Sequence, residues 1–225
     1  MRNAKKKVLL YLLLAILLGG NIWGFGFEPI TKEFEPSGTQ AMQTFRAVNE
    51  SDKPIAVQIR MVRREMDIDG VETLPDASNE FTVYPSQLII PAESFQTVRV
   101  QWRGTPRPAK ELAYRIIAEQ LPIQLTEQRT SGITILFRYL GSVYVVPSDA
   151  EADVSIVSAA SKTAEDGSPA IEIIAANNGT AHALLLDLEL TVKSNGGSTA
   201  LMGPEQLVGV TGENVLAGNR RRGSR

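Results

Sequence analysis

The chain has 225 residues with a formal net charge of −2, so nucleic acid is not the implied partner. It contains no cysteine, which excludes disulfides, thiolate metal sites and cysteine nucleophiles. Its one histidine, His182, lies in a run of small and polar residues and reads as a solvated loop residue rather than a base or ligand.

Arg2, Lys5, Lys6 and Lys7 precede an apolar run over 8–18, which Gly19, Gly20 and Asn21 close. That run is shorter than the ~20 apolar residues needed to cross a bilayer, and it suits the core of a signal peptide. Residues 1–24 are therefore read as a targeting segment and the mature protein as exported.

From Phe27 onward the pattern is strand after strand. Residues 28–35 read as a short first strand. Residues 41–48 alternate, with Phe45 and Ala47 on one side and Thr44 and Arg46 on the other. Residues 55–63 alternate again, placing Ile55, Val57, Ile59 and Met61 on one face. Asp67-Ile-Asp-Gly70 contains part of a calcium-loop pattern without its full spacing, and reads as an Asp-Gly hairpin turn with no metal role. Residues 81–84, 87–90, 95–102 and 112–121 follow as strands, each bounded by turn residues or proline.

The longest strand pattern is 133–146, bounded by Gly132 and Pro147. Ile133, Ile135, Phe137 and Tyr139 recur at a period of two. Such a strand is either an inner strand of a core or an edge whose backbone is offered to another chain. Beyond Pro147, residues 148–153 read as a hinge. Residues 154–157, 170–175 and 184–192 are further strand candidates, and Arg220–Arg222 is read as a surface tail. Short strands without a sustained helical period predict an all-β protein. The division is 25–147 for a first immunoglobulin-like sandwich and 148–225 for a second, short one that lacks its last strands.

No phosphate-binding glycine loop, nucleophile elbow or zinc-binding helix pattern occurs, and the carboxylates are scattered. The reading is of a protein that is not an enzyme, with no cofactor and no small-molecule substrate.

Several stretches carry a resemblance to a family. They are F-T-V-Y-P-S-Q-L-I-I-P at 81–91, Q-T-V-R-V at 96–100, E-L-A-Y-R-I-I-A-E-Q-L-P at 111–122, and the long strand ending at Pro147. In order and spacing they resemble the periplasmic chaperones of chaperone–usher pilus assembly. The resemblance implies a periplasmic protein whose partners are pilin subunits and an outer-membrane usher. It also implies that Ile133, Ile135 and Phe137, extended by Tyr139, point outward and complete a subunit's open groove. Tyr84-Pro85 is expected to be cis, and Arg99 and Glu111 to form a charged pair near the domain interface.

The family also grips the subunit's C-terminal carboxylate with two basic residues. Here the position on the long strand falls on Ser142, and the first-strand position on Thr31 or Lys32. Arg138 shares the parity of Ser142, so Lys32, Arg138 and Ser142 are the candidate anchors. The competing reading is an exported structural or adhesin-like sandwich whose long strand is buried core.

Overall fold

The computed structural model describes residues 24–123, 135–163, 167, 169–186, 188–193, 196–197, 199–207 and 209–224. The targeting segment to residue 23, Ile133 and the connector over 124–132 lie outside the described residues. The strands are β1 (Phe25–Glu28), β2 (Thr31–Phe34), β3 (Met42–Asn49), β4 (Ile55–Arg63), β5 (Glu65–Met66) and β6 (Glu72–Thr73). Then come β7 (Phe81–Tyr84), β8 (Gln87–Ile90), β9 (Ser94–Trp102), β10 (Leu112–Gln120) and β11 (Arg138–Val145). After Pro147 come β12 (Val154–Thr163), β13 (Pro169–Asn177), β14 (Ala183–Leu184), β15 (Leu190–Lys193), β16 (Thr199–Met202), β17 (Asn214–Val215) and β18 (Arg220–Ser224).

The protein is all-β, with two immunoglobulin-like sandwich domains. In the first, a four-stranded sheet ordered β1-β3-β9-β7 packs on a five-stranded sheet ordered β2-β11-β10-β4-β8. The alternation read from the sequence sets the inner faces. Phe45, Ala47, Val98 and Val100 from one sheet meet Val57, Ile59, Met61, Ile116 and Val143 from the other. Phe81 lies edge-on to both Trp102 and Tyr114. Burying each large apolar side chain contributes about 1.5–3 kcal/mol, so this layer dominates the stability of the domain.

The single first strand expected over 28–35 is instead two. Proline has no N–H for a ladder, and at Pro29 the chain leaves β1, paired with β3, and enters β2. β2 runs parallel to β11 in the other sheet. The Glu28–Pro29 and Tyr84–Pro85 bonds are both cis, the second as the sequence predicts.

In the second domain, β12-β13-β18 form one sheet, and β14-β17 and β15-β16 form two two-stranded pairs, the second of them a hairpin. Ile173, Ala175, Leu185, Leu207, Val210 and Val215 make its core. Arg220–Arg222 is no tail: it belongs to β18, paired with β13 from Glu172 to Ala176.

The domains are tied at several points. The β5–β6 hairpin of the first leans on β18 of the second: the Arg222 amide donates to the Ile68 carbonyl at 2.7 Å, and Arg222 Nη1 meets Asp69 Oδ1 at 2.9 Å. The hairpin turn is built by Asp67, whose Oδ1 accepts from the amides of Asp69 and Val71, both at 2.9 Å. Gly70 closes the turn at φ 81°, a conformation that favours glycine, and Arg221 packs where a β-carbon would stand. Lys110 Nζ donates to the Ala217 carbonyl at 2.8 Å. The loop carrying Gly179 and Thr180 binds the hinge: the Thr180 amide donates to the Glu151 carbonyl at 2.7 Å, and the Ala181 amide to the same carbonyl at 3.0 Å.

Candidate functional site

β11 is an edge strand over half its length. Its C-terminal half, Ser142–Val145, is covered by β2, and its whole length pairs with β10 on the other side. On the β2 side, no strand among the described residues pairs with Arg138–Gly141. Bare N–H and C=O groups of this kind are a template for an added strand. Just before them, Ile135 is 64% exposed and Leu136 is also exposed, as is Leu140 among them.

The expected outward row behaves in two ways. Ile135 is exposed as predicted. Phe137 and Tyr139 instead pack against the first domain's own core. The Tyr139 hydroxyl donates to the Phe25 carbonyl at 2.5 Å, and its ring is edge-on to Phe25 at 5.3 Å. The cause is parity: Tyr139, Val143 and Val145 share one face, and that face is the interior. The same row therefore runs from buried to exposed as the strand leaves the sandwich.

On the opposite face, at the margin of a charged cluster centred on Glu72, lies Ser142. Arg115, its direct neighbour on β10, donates from Nη1 to Ser142 Oγ at 2.6 Å. Its Nε and Nη2 donate to the two oxygens of Glu72 at 3.0 and 2.6 Å. Arg64 donates to Glu72 as well, at 2.7 Å, and its Nη1 donates to the Tyr144 hydroxyl at 2.9 Å. Burial alone would raise the Glu72 carboxyl. The hydrogen bond from Arg115, the charges of Arg64 and Arg115 and the bond from Arg64 outweigh it and hold the group below its ordinary range. Two guanidiniums share one carboxylate, so the cluster keeps an excess positive charge beside Ser142.

The other anchor candidates are not gathered here. Lys32 is on the face of β2 that carries buried Phe34, whereas Thr31 is the residue opposite Ser142. Arg138 is exposed four residues up the strand, about 13 Å away at a strand's rise. The expected Arg99–Glu111 pair is not formed. Arg99 is exposed on β9. Glu111, whose side chain is 2% exposed, meets His182 Nδ1 through both carboxylate oxygens at 2.9 Å. His182 is thus no solvated loop residue: its ring also stacks on Tyr144. Glu72, Arg115, Tyr144 and Asn214 escaped the sequence reading, and the basic run Arg60, Arg63, Arg64, which at a strand end reads as solvated surface, is so only in part, since the Arg64 side chain is 7% exposed. For Arg115 a signal existed, since pairing the two long strands sets it opposite Ser142.

Residues 34–151 match the family described as pili and flagellar-assembly chaperone, PapD N-terminal domain. The chain belongs to this family. The chaperone is similar in fold to the class 5 fimbriae chaperone CfaA, at 20% identity and TM-score 0.62, with 88% of this chain and 84% of that chain covered. It is also similar to a chain of the CsuC–CsuE chaperone–tip adhesion subunit pre-assembly complex from archaic chaperone–usher Csu pili of Acinetobacter baumannii. There the identity is 18%, the TM-score 0.60 and the coverage 88% and 85%. A third match is to a chain of the chaperone–tip adhesin complex of CFA/I fimbriae biogenesis, at 19% identity, TM-score 0.60 and coverage of 88% and 83%. No curated protein sequence matches. The family is one of assembly chaperones, not enzymes. No helix among the described residues is long and apolar enough to cross a membrane.

Proposed function

We propose that this chaperone caps incomplete pilus subunits in the periplasm by lending them the edge that runs from Ile133 and Ile135 into β11, and delivers them to an outer-membrane usher. Residues 1–24 act as the export signal, 25–147 form the subunit-binding domain and 148–225 the second sandwich. The observation that carries this reading is the half-covered edge of β11. Its open backbone at Arg138–Gly141 and the exposed Ile135 before it are what an added subunit strand requires.

The subunit's C-terminal carboxylate then ends beside Ser142 and Arg115. A desolvated carboxylate needs a cation or several donors, and the surplus guanidinium charge there supplies both. This moves the anchor from Lys32 and Arg138 to Arg115, with Ser142 retained.

The test is co-expression with the pilus subunit, followed by co-purification of the pair. Ile133→Asp/Ile135→Asp is expected to abolish capture while leaving the melting temperature close to wild type. Arg115→Glu is expected to abolish capture and Arg138→Glu to preserve it. A double mutant that still captures subunit at wild-type yield would overturn the strand-donation reading.

A further inference from the structure

We infer that the second domain positions the carboxylate-binding guanidinium of the first, acting through Tyr144. The inference rests on the anchor reading above, and it adds a partner that the reading does not need: the other domain.

A chain of polar contacts carries it, part-buried along its length and buried at the Arg64–Tyr144 link. Asn214 on β17 donates from Nδ2 to the Tyr144 hydroxyl at 2.8 Å. The Tyr144 ring, on β11, is held from its face by His182, centroid to centroid 3.9 Å. Both Asn214 and His182 belong to the second domain; Tyr144 belongs to the first. The same hydroxyl accepts from Arg64 Nη1 at 2.9 Å. Arg64 is 7% exposed at its side chain, and its other donors close on Glu72. Glu72 holds Arg115 through both of its oxygens, and Arg115 meets Ser142.

Arg115 has two contacts that set its plane, Glu72 and Ser142. Glu72 sits on a two-residue strand, a light element that does not fix a carboxylate by itself. What fixes it is Arg64, and what fixes the third donor of Arg64 is a hydroxyl held from the other domain. Low local dielectric makes each of these bonds strong when made and costly when left open. The angle between the domains is thereby translated into the orientation of one guanidinium. Tyr144, Asn214 and His182 are positioning residues; none touches the carboxylate.

The experiment compares two forms of the cognate pilus subunit, one with its native C-terminal carboxylate and one with that terminus amidated. Wild-type chaperone is expected to favour the carboxylate form by about tenfold or more, the size of a charge-assisted hydrogen bond. Tyr144→Phe keeps the ring stack and deletes the shared acceptor. It is expected to reduce the preference several-fold while leaving capture of the amidated form unchanged. Asn214→Ala, which does not touch the first-domain core, is expected to act in the same direction and decides the matter if Tyr144→Phe fails to fold. An undiminished preference in these variants overturns the inference. So does an equal loss of affinity for both subunit forms, which marks a merely structural role. If wild type itself shows no preference, the anchor reading fails and takes the inference with it. Strand donation is judged separately by capture of the amidated form.

Discussion

The imidazole of His182 lies parallel to the ring of Tyr144, 7° between planes, while its Nδ1 rests on a Glu111 carboxylate that is almost fully enclosed. One side chain of the second domain thus covers an aromatic face of the first and satisfies an acid buried within it. Removing it by His182→Ala leaves that acid without its side-chain partner. The expected cost is about 2–3 kcal/mol, read as a lower urea midpoint. His182→Phe restores the stack but no donor and is expected to recover only part of the loss. A midpoint unmoved by His182→Ala would show that water serves Glu111 equally well.

Glu72 sets a pH dependence. Its carboxyl is held below the ordinary value of 4.5 in the folded protein. A depressed group stabilises the fold above its unfolded value, and that contribution disappears as pH falls through the folded value. The difference in unfolding free energy between wild type and Glu72→Gln is therefore expected to be constant from neutrality down to about pH 5, then to shrink in more acid solution. A gap that stays level across the acid range would contradict this.

Tyr139 faces inward, so it belongs to stability more than to capture. Tyr139→Phe deletes the bond to the Phe25 carbonyl and keeps the edge-on ring contact. The expected loss is about 1 kcal/mol in thermal or denaturant unfolding, with subunit capture retained. Loss of capture at unchanged stability would return Tyr139 to the donated row.

Gly179 permits a close approach of two backbones. A β-carbon there would stand 2.3 Å from the Glu151 carbonyl oxygen and 2.4 Å from the Asp153 nitrogen, and neither atom is on a flexible side chain. Gly179→Ala is expected to push the loop off the hinge and cost about 1–3 kcal/mol. Faster amide exchange at Thr180 and Ala181, whose N–H groups bond Glu151, is the local reading of the same effect. Protection equal to wild type would mean the hinge can shift to make room.

The strands of the first domain were legible because a half-buried strand writes its own period. Ile55, Val57, Ile59 and Met61 are all buried, as their alternation implies. The cluster beside Ser142 was not legible from the long strand alone. Counting along β11 gives which side a residue faces, but not which neighbouring strand brings a charge to it. Arg115 reaches Ser142 only because β10 and β11 pair in one particular register. His182 was misread because composition describes a loop and not what the loop lands on. Arg220–Arg222 has no apolar alternation to mark it as a strand, and its pairing with β13 is carried by backbone groups that leave no trace in side-chain pattern.

The clasp between Asp69 and Arg222 joins residues 153 positions apart. Everything the first core needs is in place by Val145, well before the last strand exists. Contacts this distant in sequence form late and depend on what has already folded. Of the interdomain ties, the one between the β5–β6 hairpin and β18 therefore depends on the last strand of the chain, whereas the core of the strand-bearing domain does not.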